Sequence, residues 1–366
     1  MDMTPYLKLM AEKGASDLFF CTGTTPHLKI EGNLRPVGSQ VFGPGDVEKL
    51  AHSIMDDAQV KEFAEELELN FAVPISDVGR FRVNVFQQRG ELSIVIRFVQ
   101  TQIPKIDELS LPASLEKIIM EKRGLVLVVG ATGSGKSTTL AAMIGHRNRN
   151  SGCHILTIED PIEFIHTHEK SVVQQREVGI DTLSYENALK NALREAPDVI
   201  LIGEIRDMDT MKHAINYAET GHLCLATLHA NNANQALDRI LNFFPETTHR
   251  QLLMDLSLNL RSIVSQRLLP GIDGKRVPAV EVMLNTPYIA ELILKGNVGD
   301  IKNAMKDSTE DDSITFDQAL LALHAQGIIT LEDALKNADS KNDLGLAIRM
   351  DSEHDNDEDG GELILG

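Results

Sequence analysis

The stretch GLVLVVGATGSGKSTTLAAMIGH, Gly124 to His146, decides the fold. It opens on an apolar run, Leu125–Val129, of the kind a parallel sheet buries on both faces. GATGSGKST then matches GxxxxGK[ST], with a strand before it and a helical pattern after it, the context this motif requires. Gly130, Gly133 and Gly135 let backbone N–H groups curl round phosphates, and the start of a helix adds the positive end of its dipole. The expected nucleotide-binding segment is therefore Gly130, Ala131, Thr132, Gly133, Ser134, Gly135, Lys136, Ser137 and Thr138. Lys136 is expected to reach the β- and γ-phosphates and Ser137 to ligate Mg²⁺, so ATP and Mg²⁺ are the implied ligands.

Downstream, short apolar strands alternate with helical stretches: Ile155–Ile158, Val199–Ile202 and Leu223–Leu228. That order predicts an α/β fold with a parallel sheet covered by helices. In such sheets ligands bind outside the strands' carboxyl ends. ILTIEDPIEF places Glu159, Asp160 and Glu163 past one such end, and PDVILIGEIRD places Glu204 past the next. A carboxylate there holds the shell of a metal or orients and deprotonates an attacking water. TGHLCLATLH has a histidine at each end. His229 emerges on the phosphate rim, where it is placed to sense the γ-phosphate. His222 lies about 20 Å away at strand rise, too far to share that shell, and is expected at a subunit contact.

The other segments read as supporting domains. Residues 1–98 form a small α+β domain with an opening helix near Leu7–Met10, a strand in SDLFFCTG and a hairpin in PHLKIEGNLRPV. Helical spacing over Asp46–Leu67 precedes a second hairpin, GRFRVNVFQQRGELSIVIRFV, with Phe81, Val83 and Val85 on one face and Arg80, Arg82 and Asn84 on the other. Residues 99–112 read as a linker, 113–270 as the nucleotide-binding core, 271–345 as a helical region and 346–366 as a disordered acidic tail. From Asp351 to Glu362 there are seven acids and no Lys or Arg.

A net charge of −19 argues against a nucleic-acid partner. The three cysteines, Cys21, Cys153 and Cys224, suggest neither a disulfide framework nor a zinc module, and a reducing cytoplasm fits them. No apolar run reaches membrane-span length, and the first residues lack a secretory leader pattern.

The four segments GATGSGKST, TIEDPIEF, DVILIGEIRD and TGHLCLATLH, in this order, resemble the Walker A, Asp box, Walker B and His box of the secretion and type IV pilus motor ATPases. Within that superfamily the chain looks like the PilT/PilU-type pilus retraction ATPases over roughly residues 1–345. The resemblance implies a PAS-like N-terminal domain, a RecA-like core and a homo-hexamer with nucleotide at subunit boundaries. It implies Glu204 as catalytic base, and Glu163, with Glu159, near magnesium through water. It also implies arginines from the N-terminal domain reaching nucleotide, with Arg82, Arg97 and Arg80 as the matching positions.

One departure bears on the role. The retraction-motor signature AIRNLIREGK has no counterpart in YIAELILKGNVGDIKNAMKDS, which lacks its arginine pair. With the acidic tail, this resembles the PilU branch, which assists retraction. The expected function is an ATP-hydrolysing motor subunit, cytoplasmic and peripheral at the inner membrane, acting with a partner retraction ATPase and a platform protein. The competing readings are an accessory nucleotide-binding module working through that partner, a secretion or extension ATPase, and a DNA-translocating ATPase of the conjugation type. Intact Lys136, Ser137 and Glu204 favour the enzyme.

Overall fold

The structure, a computed structural model, describes residues 2–30, 32–76, 78–308 and 313–358, with 351–358 as backbone only. By contacts the chain divides into two units. The first takes in the residues up to Ile103 together with Asp160–His166 and Arg176–Ser184; the second holds Pro104–Glu159, Thr167–Gln175 and the chain from Tyr185 onward. A single cut at the linker therefore does not describe the division, because two later segments pack with the N-terminal residues.

The first unit is built on six antiparallel strands: β1 (Asp17–Phe20), β2 (His27–Ile30), β3 (Asn33–Pro36), β4 (Glu68–Ile75), β5 (Gly79–Gln88) and β6 (Glu91–Val99), in the order β3-β2-β1-β6-β5-β4. Both expected hairpins form, although Glu31 at the first turn lies outside the described residues. Helices Thr4–Glu12, Asp46–His52 and Asp57–Glu66 cover the sheet's apolar face, where Phe81, Val83 and Val85 join Leu7, Leu18 and Ile96 in one core. The helical spacing of Asp46–Leu67 splits into two helices because Asp56 and Gln59 form a capping box that restarts the chain.

The second sheet has seven strands: β7 (Gly124–Val129), β8 (His154–Glu159), β9 (Val172–Glu177), β10 (Val199–Ile202), β11 (Leu223–Leu228), β12 (Leu260–Pro270) and β13 (Arg276–Leu284); all lie in the second unit except Arg176 and Glu177 at the end of β9. Their order is β13-β12-β7-β11-β10-β8-β9, and β12, β7, β11, β10 and β8 run parallel. Every residue of β7, β10 and β11 is buried, which is why these strands read as largely apolar runs. Each large aliphatic side chain so buried contributes about 1.5–3 kcal/mol.

Two expectations are corrected here. The region after Pro270 is not helical from its start, because Arg276–Leu284 pairs antiparallel with β12. The signal was the Asp273–Gly274 turn between two apolar runs, a hairpin signature. Nor is the tail disordered from residue 346, since a helix spans Lys341–Glu358. Leu344 is buried and Ile348, one turn on, packs beside it against Phe316, Leu320 and Ala334, so an apolar stripe anchors a segment whose charge suggested otherwise. Residues 359–366 lie outside the described residues.

Candidate active site

The phosphate loop is held from two directions. β7 ends at Val129, and Gly130–Gly135 turns into the helix Lys136–Asn150. Gly135 sits at φ 91°, and a Cβ there would meet Gln266 Nε2 at 2.8 Å, so both conformation and space require glycine. The same Gln266 accepts from Thr139 Oγ1 at 2.7 Å, pinning the helix's first turn to β12. Lys136 Nζ donates to the Gly130 and Ala131 carbonyls, both at 2.9 Å, which keeps its charge over the loop.

Beside the loop, three strand ends are stitched together. Ile158, Ile202 and Ala226 stand in parallel register on β8, β10 and β11. Beyond them Gly203 N–H donates to the Ile158 carbonyl at 2.7 Å, Thr227 Oγ1 donates to the Gly203 carbonyl, and Ile205 N–H donates to Thr227 O at 2.9 Å. A Cβ at Gly203 would stand 3.1 Å from Glu159 Cα. The stitching delivers Glu204 and His229 to one another, with His229 Nε2 3.0 Å from Glu204 Oε1. Arg206 Nε donates to the other oxygen of that carboxylate at 2.6 Å. Asp207, also in the GEIRD segment, is occupied elsewhere: it caps the helix Met208–Glu219 by accepting from Thr210 N–H at 2.8 Å.

The structure thus brings together the phosphate loop's strand neighbours, Glu204 and His229. Glu159 ends β8 in the same unit, where its Oε1 accepts from Thr157 Oγ1 at 2.6 Å and Gln175 Nε2 at 3.2 Å. Glu163 and the three arginines belong to the first unit. Glu163's main-chain carbonyl accepts from Gln100 N–H at 3.3 Å. Arg82 and Arg97 are cross-strand partners on the β5–β6 hairpin; Arg82 Nε lies 2.9 Å from the buried Glu177 Oε1, and Arg97 donates to Asp17 at 3.0 Å. Arg80 Nε is buried with no hydrogen-bond partner among the described residues.

His222 sits at the amino end of β11, where its carbonyl accepts from Gly124 N–H at 3.0 Å and its ring Nδ1 lies 3.2 Å from both Tyr217 O and Thr220 Oγ1. Between the histidines, burial pushes the Cys224 thiol well up, leaving it an inert core group. Arg206 and Gln266 went unnoticed in the sequence. The only signal for Arg206 was its place two residues after Glu204, and for Gln266 there was none.

Among the described residues no three His, Cys, Asp or Glu side chains cluster as a ready-made metal cage. A hydroxyl at Ser137 with carboxylates at Glu159 and Glu204 suits Mg²⁺, which keeps waters and binds through few protein oxygens plus phosphates. Cavities flank the loop. One of about 510 Å³ is walled by Leu109, Leu111, Gly135, Thr138, Leu268 and Val277; another of about 370 Å³ runs from Gly130 past His229 and Asn231.

The profile of the family described as type II/IV secretion system protein matches residues 64–335. The chain is 55% identical to the type IV pilus ATPase PilU of Pseudomonas aeruginosa, over 98% of this chain and 94% of that one. It is 41% identical to the type IV pilus retraction ATPase PilT of the same organism, over 92% and 98% of the two chains. The crystal structure of the pilus retraction motor PilT with bound ADP superposes with a TM-score of 0.87 at 40% identity, covering 94% of this chain and 98% of that one.

Proposed function

The chain belongs to the type II/IV secretion system protein family, and on that premise we propose that it is an ATP-hydrolysing motor subunit that drives or assists type IV pilus retraction. The observation that carries the enzymatic reading is the Glu204–His229 contact of 3.0 Å on strand ends next to the phosphate loop. A nucleotide-holding module needs the loop but not this pair.

In the proposed mechanism the N–H groups of Gly130–Thr138 and the helix end hold the phosphates, while the apolar walls at Leu109, Leu111 and Leu268 take the base. Lys136 exchanges its loop carbonyls for phosphate oxygens. Ser137, Glu159 and Glu204 would hold Mg²⁺, which when bound would supply positive charge against the phosphates. Glu204 orients water and takes its proton. Arg206 and His229 fix the two oxygens of that carboxylate, so its free lone pairs point one way. His229, shared between Glu204 and the phosphate side, registers the loss of the γ-phosphate and passes it to its own loop. Arg80, Arg82 and Arg97 supply positive charge to nucleotide within a homo-hexamer, and His222 lies at a subunit contact.

The stronger likeness to PilU than to PilT, with the missing arginine pair, supports action beside a partner retraction ATPase on an inner-membrane platform, at the cytoplasmic face. Among the described residues no helix is long and apolar enough to cross a membrane. The test is ATPase rate and pilus retraction of the purified and expressed chain, with and without that partner. Absence of turnover in both settings defeats the enzymatic reading.

A further inference from the structure

Arg267 on β12 sits where three parts of the second unit meet. Its Nη2 donates to the Asn231 carbonyl at 3.2 Å, two residues beyond His229. The same nitrogen donates to Asp339 Oδ1 at 2.6 Å, and Nη1 donates to the Asn337 carbonyl. The guanidinium stacks on the Phe316 ring with its carbon 3.9 Å from the centroid. Phe316, Asn337 and Asp339 belong to the C-terminal helical layer, so one planar cation joins that layer to the loop after His229.

The surroundings strengthen the tie. Asp339 Oδ2 accepts from Lys302 at 3.1 Å and from Asn232 Nδ2 at 3.4 Å, and Lys302 also reaches Asp317. Asp317 in turn accepts from the Asp339 and Ser340 N–H groups. Burial works to raise the Asp339 carboxyl, but the hydrogen bonds and charges of Arg267 and Lys302 outweigh it and hold it low. Asn232 caps the helix Ala233–Asn242, whose Ala233 N–H donates to the buried Glu281 at 2.9 Å. The segment from His229 to Ala233 is thus gripped by β12, β13 and the helical layer together. Across a cavity of about 860 Å³ this cluster faces Ala131–Ser134 of the phosphate loop. The neighbouring residue on β12, Gln266, is the one that pins that loop's helix.

We propose that Arg267 is a positioning residue for hydrolysis: by holding the Asn231 carbonyl and the Asn337–Asp339 turn in one guanidinium, it sets His229 against Glu204 and ties that setting to the C-terminal helical layer. A displacement of the layer then alters the His229–Glu204 contact without any change in the phosphate loop. The inference rests on the ATPase reading above.

The test is a double-mutant cycle on the full chain. Arg267→Ala is expected to lower kcat about tenfold, the scale of misplacing a positioned group, with KM for ATP within about twofold. Arg267→Lys is expected not to rescue it, because a point charge cannot hold two carbonyls and a carboxylate at once. In the Arg267→Ala/His229→Ala double variant kcat is expected to match that of His229→Ala alone. Asp339→Asn, which leaves the guanidinium in place, gives the same non-additivity with a smaller loss and serves where Arg267→Ala fails to fold. Additive losses, rescue by lysine, or a loss confined to melting temperature each overturn the inference while Lys136-dependent turnover of the unaltered chain persists. Absence of such turnover defeats the ATPase reading and the inference with it.

Discussion

At its carboxyl end the strand Leu223–Leu228 hands His229 to Glu204 across 3.0 Å; at its amino end His222 turns back to Tyr217 and Thr220 of the preceding helix. The same side chain, six residues of the same strand apart, meets a carboxylate at one end and its own turn at the other. The carboxyl end opens onto the loops that follow β7, β8 and β10, where N–H groups and acids converge. At the amino end the His222 carbonyl accepts from Gly124 N–H, and His222 N–H donates to the Tyr217 carbonyl. An imidazole's work is set by which rim it stands on.

The largest expected effect lies at the carboxyl rim. Lys136→Ala is expected to drop ATP turnover to background and weaken nucleotide binding, measured by coupled assay and by fluorescent-nucleotide titration. Wild-type turnover in that variant removes the rim from the reaction. Glu204→Ala is expected to retain ATP binding while hydrolysis slows at least about 100-fold, the scale of losing a general base. A variant that fails to bind and melts early makes Glu204 a scaffold residue instead.

His229→Ala is expected to lose about tenfold in kcat at saturating ATP, independently of protein concentration. His222→Ala tests the opposite end. At high protein concentration its turnover is expected within about twofold of wild type, any deficit growing on dilution and tracking hexamer content by light scattering. Equal, concentration-independent losses in the two histidine variants erase the distinction between the ends.

The smallest effect is a pH-dependent one behind the carboxyl-end loop. Burial pushes the Glu281 carboxyl up despite hydrogen bonds from Ala233 N–H and Ser265. The folded chain therefore holds that proton more tightly than the unfolded one, and the associated stability is lost as pH rises from the ordinary glutamate range through the shifted value. Glu281→Gln is expected to melt with wild type near the acid end of that window and a few degrees above it at pH 8. Scanning calorimetry at both pH values checks the crossing.

What the sequence disclosed follows the same geometry. Strands β7, β8, β10 and β11 were legible because both their faces are buried, leaving largely apolar runs that stop at Gly130, Glu159, Gly203 and His229. β12 was hidden because LRSIVSQRLLP mixes polar with apolar residues, and its Ser262, Ser265 and Gln266 are buried against neighbours far along the chain. Arg206 and Arg267 were illegible as site residues because their partners are fixed only by the fold. The helix from Lys341 was obscured by counting charge where two apolar residues four apart decide.

Gly203 carries a consequence for sequence drift. An added methyl there meets Tyr185 Oη at 2.8 Å, which can swing aside, and Glu159 Cα and the Ile158 carbonyl at 3.1 Å, which cannot. Alanine is accommodated only by spreading two strand ends by a few tenths of an ångström, and the next residue along is Glu204. The error passes straight to the position of the carboxylate while the fold remains intact. A screen for folded protein will accept variation at 203, whereas a screen for turnover will reject it, although the residue has no functional group to lose.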